Sequence, residues 1–147
     1  MKGRTIWFDM DGTIANLYGV ENWLEYLIAE DVKPYAEAKV MLNMNSLARV
    51  LNRLQKNGYE IGIISWLSKC GSDSYKEEIE IAKRAWLKKH LASVKFDFIE
   101  IVDYGTDKNI VCGSASDILF DDEIGNRENW KGVAYDVENI LEVLKAL

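Results

Sequence analysis

Two aspartates, Asp9 and Asp11, stand at the end of the apolar run Thr5-Ile6-Trp7-Phe8, and Gly12 follows at once. A carboxylate left unpaired at the end of a buried strand is costly, so this strand has to end on a rim that supplies a cation. Gly12 allows the sharp turn the chain must make there. On an ideal strand the two carboxylates face one way, since the side-chain period is two. A hard oxygen set of this kind suits Mg²⁺, which keeps several waters and takes phosphate oxygens as ligands. A calcium-binding loop is excluded, because Gly12 comes too early and Val20 stands where a bidentate Glu would be required.

The rest of the chain alternates strand and helix patterns. Residues 4–9 read as a strand. Val20, Trp23, Leu24, Leu27 and Ile28 fit an amphipathic helix, and Pro34 opens a weaker helical segment through Met41. Met44, Leu47, Ala48, Leu51 and Leu54 mark a strong helix, stopped by Asn57-Gly58. Strands are predicted at 59–65, 96–102, 117–120 and 132–135. Helices are predicted at 74–91, with Tyr75, Ile79, Ala82 and Trp86 on one stripe, and at 137–147. This order predicts an α/β domain, a parallel sheet with helices on both faces. Ligands of such sheets bind beyond the carboxyl ends of the strands, where Asp9, Ser65 and Asp121-Asp122 all fall. The stretch 14–45 is longer than a crossover needs and reads as a small helical insert over that edge, within a single domain spanning 1–147.

Composition narrows the function. With 147 residues, 48% hydrophobic, and five tryptophans, the chain can bury a real core and is not a disordered segment. A formal net charge of −6 disfavours long nucleic acid as a partner. Cys70 and Cys112 lie in no metal-like spacing and read as reduced thiols. His90, the single histidine, falls at a helix end, so a Ser/His/Asp hydrolase is not expected. No apolar stretch reaches the ~20 residues that span a bilayer. The basic start Met1-Lys2-Gly3-Arg4 leads into an apolar run too short for a secretory signal. The expected setting is cytoplasmic, away from membranes.

FDMDGT, residues 8–13, resembles the first motif of the haloacid-dehalogenase-like phosphohydrolases. Ile63-Ile64-Ser65 resembles their second motif, Lys108 in Thr106-Asp107-Lys108-Asn109 their third, and Ile118-Leu119-Phe120-Asp121-Asp122 their fourth, with Asn126 at a fitting spacing. All four occur in order over nearly the whole chain. The resemblance implies a three-layer Rossmann-like fold with a small helical cap and a Mg²⁺-dependent phosphatase acting on a phosphomonoester. Asp9 would be the nucleophile that forms an aspartyl-phosphate, and Asp11 the general acid and then the base. Ser65 would donate to the phosphoryl oxygens and Lys108 would balance their charge. Asp9, Asp11 through its backbone carbonyl, and the Asp121/Asp122 pair would hold the metal. Asp122 is the preferred direct ligand, with Asp121 and Asn126 in support. Met10, Gly12 and Thr13, with Ser65, Trp66, Lys69 and Lys108, are the expected phosphate and substrate contacts.

A narrower resemblance points to the 5′(3′)-deoxyribonucleotidases. Lys69 follows Ser65 by four residues, Ala85-Trp86-Leu87-Lys88-Lys89-His90-Leu91 is similar to their W-V-E helix end, Asp107-Lys108 to their D-K-T and Leu119-Phe120-Asp121-Asp122 to their L-I-D-D. It implies a deoxynucleoside monophosphate as the small phosphorylated substrate. The chain departs from that pattern in having Trp66 and Leu67 where those enzymes have Ser-Pro, and in its short insert. Tyr18, Trp23, Tyr26 and Tyr35 are the aromatics available to stack on a base, with Trp23 read as core. The alternatives are a phosphatase for another small phosphometabolite or for a polynucleotide end, and a non-catalytic binding module of the same fold. A short insert also leaves room for a homo-oligomer in which a second copy covers the site.

Overall fold

The computed structural model describes residues 4–147; the first three residues of the basic start lie outside them. In chain order the elements are β1 (Thr5–Phe8), β2 (Ala15–Asn16), α1 (Trp23–Ile28), α2 (Lys33–Glu37), β3 (Lys39–Val40), α3 (Met44–Lys56) and β4 (Glu60–Trp66). Then come α4 (Asp73–His90), β5 (Phe98–Val102), α5 (Lys108–Cys112), β6 (Ile118–Phe120), α6 (Ile124–Glu128), β7 (Val133–Tyr135) and α7 (Ile140–Lys145). Five strands form one parallel sheet in the order β5-β4-β1-β6-β7, the α/β Rossmann-like architecture expected.

The strand order decides where a ligand can bind. The chain runs outward from β1 through β4 to β5, then returns to the other side of β1 for β6 and β7. The direction of winding therefore reverses at β1, and the loops leaving neighbouring strands part to open a crevice at their carboxyl ends. Register sets Phe8 beside Ile63 on one side and Phe120 on the other, so Asp9 and Asp121 emerge side by side. The amide of Asp9 donates to the Phe120 carbonyl at 2.9 Å.

Alternation along the strands sends Ile6, Phe8, Ile61, Ile63, Ile118 and Phe120 to one face, against Leu47, Leu51 and Leu54 of α3, Trp86 and Leu87 of α4, and Ile140 and Leu144 of α7. Asn43 caps α3 by accepting from the Ser46 amide at 2.9 Å, and Ser72 caps α4 by accepting from the Tyr75 amide at 3.1 Å. The opposite face is covered mainly by aromatic rings. Trp7, Ile64, Leu119 and Trp130 pack there, with Cys112 of α5 at their edge. Trp7 stacks on Phe98 at 5.4 Å between centroids and occupies the space a side chain at Gly62 would need.

The stretch read as an insert with two short helices contains them, α1 and α2, and adds a ribbon that the sequence did not mark. β2 and β3 pair antiparallel, Ala15 with Val40 and Asn16 with Lys39, so residues 15–40 leave and rejoin the body through one narrow ribbon. The weak helix expected through Met41 stops at Glu37, because Lys39 and Val40 are taken by that ribbon. None of the residues of α1 is buried, so the apolar stripe read there as a core face, Trp23 included, is not one. The insert is anchored on α4 instead. Leu17 and Tyr35 pack on Tyr75 and Ile79, the Tyr75 hydroxyl donates to the Asp31 carbonyl at 2.9 Å, and Glu30 accepts from both the amide and the hydroxyl of Ser72. Among the described residues no helix is long and apolar enough to cross a membrane.

Candidate active site

The turn after β1 is built on one carbonyl. Met10 O accepts from the amides of Thr13, Ile14 and Ala15 at 3.1, 3.0 and 3.0 Å. Gly12 adopts φ +81°, and a Cβ at that position would run into the Asp122 carboxylate. The chain thereby folds back so that the Thr13 hydroxyl lies 3.0 Å from Asp9 Oδ2 and 3.4 Å from Asp122 Oδ1, while accepting from the Asp122 amide at 3.2 Å.

Four segments converge on this turn. Lys108, the first residue of α5 and almost wholly buried, donates to Asp9 Oδ1 at 2.9 Å and to Asp121 Oδ2 at 2.7 Å. Burial works against its charge, but the two carboxylates more than offset this and hold its pKa above the ordinary lysine value. Asp121 Oδ2 also accepts from Asn126 at 3.1 Å and Oδ1 from the Glu123 amide at 3.0 Å, so both its oxygens are engaged. Asp122, at the solvent side, has only Thr13 as a hydrogen-bonded neighbour among the contacts described. Carboxylate oxygens of Asp9, Asp121 and Asp122 lie within 4.8 Å of one another. Burial, with Asp9 second, pushes the Asp121 carboxyl up to about 6 and that of Asp122 up to about 8. Crowded acids of this kind are relieved by a divalent cation.

That trio fits a hard cation. It offers three carboxylates with oxygens within 4.8 Å of one another, and Gly12 lets the Asp122 carboxylate approach the turn where a side chain would displace it. Asp11 is not part of it. Its Oδ2 accepts from the Lys83 ammonium at 2.8 Å, which draws the side chain aside and leaves only the backbone of Asp11 to serve a metal. The two side chains do not face one way as on an ideal strand: the strand ends at Phe8, and beyond it the period of two no longer applies, which leaves for Asp11 the backbone-carbonyl role expected of it. Burial raises the pKa of Asp11, against the opposing pull of Lys83.

A cavity of about 310 Å³ opens above the acids. Asp9, Asp11, Trp66, Lys69, Lys108, Asp121, Asp122 and Asn126 line it. Others of the expected contacts do not. Ser65 and Thr13 are buried beneath it, Thr13 with its hydroxyl spent on Asp9 and Asp122 and Ser65 accepting from Lys83 at 2.7 Å. Met10 points its side chain into the core, so only its backbone can meet a ligand, and Gly12 contributes space. Tyr26 faces away and accepts a hydrogen bond from Lys33 at the surface, 3.2 Å from Nζ.

Two aromatic pairs wall the cavity. Tyr18 and Trp23 of the insert meet edge-on at 5.0 Å, and Trp66, the last residue of β4, meets Tyr104 of the loop after β5 at 4.9 Å. The Trp66 indole donates to the Thr106 carbonyl at 2.9 Å, and its ring lies 5.3 Å from Lys108 Nζ. His90 sits on Trp86 at the far end of α4, and burial pushes the Cys112 thiol up to about 12.

No family model and no curated protein sequence matches the chain. Solved structures do. A D,D-heptose 1,7-bisphosphate phosphatase from Burkholderia thailandensis superposes with a TM-score of 0.53 at 16% identity, covering 85% of this chain and 70% of that one. Another from B. bronchiseptica, complexed with magnesium and phosphate, gives 0.52 at 13% identity, covering 89% of this chain and 78% of that one. The chain shares the fold of these phosphatases. At such identities the likeness is one of architecture, and the chemistry has to be argued from the residues.

Two residues of the site escaped the sequence reading. Tyr104 had no motif to mark it. Lys83 did leave a signal: it lies four residues after Ile79 and three before Trp86, a charge on an apolar stripe that was assigned to Ala82 instead.

Proposed function

We propose that the protein is a Mg²⁺-dependent phosphatase of the haloacid-dehalogenase type that hydrolyses a phosphomonoester through an aspartyl-phosphate. The observation that carries this reading is Asp9: a buried carboxylate at the floor of the cavity, bridged to Asp121 by the Lys108 ammonium and grouped with Asp121 and Asp122. In this mechanism Asp9 attacks phosphorus while the bond to the leaving oxygen breaks, and Asp11 delivers a proton to that oxygen. Asp11 then takes a proton from the water that cleaves the aspartyl-phosphate. Lys108 fixes the attacking carboxylate and balances charge on the transferring group. Ser65 is buried and outside the cavity lining, and in this reading its hydroxyl would have to turn towards the cavity to donate to the phosphoryl oxygens. Bound Mg²⁺, held by Asp9, Asp122 and the Asp11 backbone with Asp121 and Asn126 in support, would supply the charge neutralisation that lets one anion approach another.

For the leaving group we favour a planar ring, as in a deoxynucleoside monophosphate. The pairs Tyr18–Trp23 and Trp66–Tyr104 give the cavity an aromatic lining suited to a ring, and Lys69, also in the lining, can meet a polar edge. The second reading is a phosphorylated sugar, in keeping with the names of the two structural neighbours. A panel of phosphomonoesters assayed with Mg²⁺ decides between them. Stacking on an aromatic is worth ~1–3 kcal/mol per base. Trp23→Ala is therefore expected to lower kcat/KM for a nucleoside monophosphate by roughly tenfold, with a smaller loss for an alkyl phosphate. A preference for sugar phosphates that Trp23→Ala leaves intact would overturn the ring-stacking assignment.

Chelation tests the metal. EDTA is expected to abolish turnover and Mg²⁺ to restore it; full activity after thorough chelation would remove the metal from the mechanism. Stability gives a separate readout. Burial and neighbouring acids raise the Asp121 and Asp122 carboxyls above the ordinary aspartate value of 3.8, so without metal the stability these two groups contribute is present at low pH and is lost as pH rises through about 6 and about 8. Mg²⁺ binds the ionised acids. It is expected to raise Tm by several degrees at pH 8 and scarcely at pH 5, measured by calorimetry.

A further inference from the structure

Lys83 is a buried charge that the mechanism above leaves without a task. It projects from the middle of α4 with 1% of its surface exposed. Its ammonium has three hydrogens and meets three acceptors: Asp11 Oδ2 at 2.8 Å, Ser65 Oγ at 2.7 Å and the Trp66 carbonyl at 2.7 Å. The ring of Tyr35 from the insert lies 5.3 Å from it. All its donors are used, so the nitrogen is held at one point. A leucine on this stripe would pack without the desolvation cost of a buried ammonium. The charge is accounted for by what it holds.

Asp11 sits at the wall of the cavity, and without Lys83 its carboxylate would be free to swing towards any cation in the Asp9, Asp121 and Asp122 cluster. We propose that Lys83 is a positioning residue: it ties one oxygen of Asp11 away from that cluster, so that the Asp11 side chain serves the leaving oxygen and its carboxylate does not become a metal ligand. This rests on the phosphatase reading. As the phosphorus–oxygen bond to the leaving group breaks, its electron pair goes to that oxygen, which takes the proton of Asp11. The carboxylate so formed keeps the electrons of its former O–H bond, and its new charge lies against the ammonium.

The test is a comparison of leaving groups. kcat/KM reports the steps through the first irreversible one, here expulsion of the leaving group. An alkyl phosphate needs a proton at that step, whereas p-nitrophenyl phosphate, with a stable phenolate, does not. General acid assistance is worth on the order of 10²-fold or more. Lys83→Met is expected to lower kcat/KM for the alkyl phosphate on that order and for p-nitrophenyl phosphate by about tenfold or less. Equal losses on both substrates would assign Lys83 a purely structural part and overturn the proposal. If Lys83→Met does not fold, the double variant Lys83→Met/Asp11→Asn, which buries no unpaired charge, is compared with Asp11→Asn alone. Equal kcat/KM for the alkyl phosphate supports action through Asp11, and a further tenfold loss overturns it. A wild type inactive on both substrates with Mg²⁺ present overturns the phosphatase reading and this role with it; an active wild type confines any failure to Lys83.

Discussion

Asp9→Asn is expected to lower phosphatase turnover on the order of 10⁴-fold or more, the scale seen when a covalent nucleophile is removed, while the protein stays folded. The amide keeps the shape: its oxygen can still accept from Lys108, which lies 2.9 Å from Asp9 Oδ1, and its NH2 group, in place of Oδ2, can donate to the Thr13 hydroxyl at 3.0 Å. What it loses is the anionic oxygen that forms the bond to phosphorus. The variant also removes one of three crowded acids. Its metal-free Tm is therefore expected to equal or exceed that of the wild type, and its Mg²⁺ affinity to fall. Turnover, calorimetry and a Mg²⁺ titration on the same preparation check the three effects separately. Equal turnover by the two proteins would rule out covalent catalysis at Asp9 and favour a binding module of the same fold.

Lys108→Met is the second large effect, and it strikes stability as well as rate. Lys108 and Asp121 are both almost wholly buried, and one ammonium serves Asp9 and Asp121 together. Removing one partner of a buried ion pair costs ~3–5 kcal/mol, because the remaining charge has no counterion. For a chain of this size each kcal/mol moves Tm by about 2–4 °C, so a fall on the order of 10 °C is expected without metal. Mg²⁺ should return part of that loss by placing positive charge beside the same carboxylates. Turnover should stay down by about 10²-fold or more even with saturating Mg²⁺. Arginine is not expected to substitute, since its planar fork does not fit a pocket filled by one nitrogen between two acids and the Trp66 ring. A Lys108→Met protein with wild-type Tm and turnover would remove the ion pair from both roles.

The two predictions draw on residues that were readable in different degrees. Asp9, Asp121 and Asp122 announce themselves because acids directly after strand-like apolar runs are chemically expensive, whatever the fold. The sheet itself was legible for a similar reason: Ile6 and Phe8, Ile61 and Ile63, Ile118 and Phe120 repeat at intervals of two that only a strand turns into a single face. The insert was legible only in part: its two short helices were, what they pack against was not. The helical period of Trp23, Leu24, Leu27 and Ile28 is real, but periodicity records an apolar side and not what lies against it. In the fold Trp23 and Leu24 line the cavity together with Trp66 and Tyr104, Ile28 is exposed, and Leu27 packs, partly buried, against the cluster of Leu17, Tyr35, Tyr75 and Ile79. The β2–β3 ribbon was equally hidden, since two-residue strands carry no pattern.

From the linear chain alone followed the alternation of strands and helices and the acids at the strand ends, because each is a local match between residue type and backbone period or local charge; Lys108 was marked only by the resemblance to a family motif. Only the tertiary structure decided which groups share a partner. Lys83 meets Asp11 across 72 positions of chain, Lys108 meets Asp9 across 99 and Thr13 meets Asp122 across 109. Such contacts depend on the reversal of winding at β1 and on the packing of α4 against the sheet, and a hydrogen bond between distant segments leaves no trace in the spacing of either one.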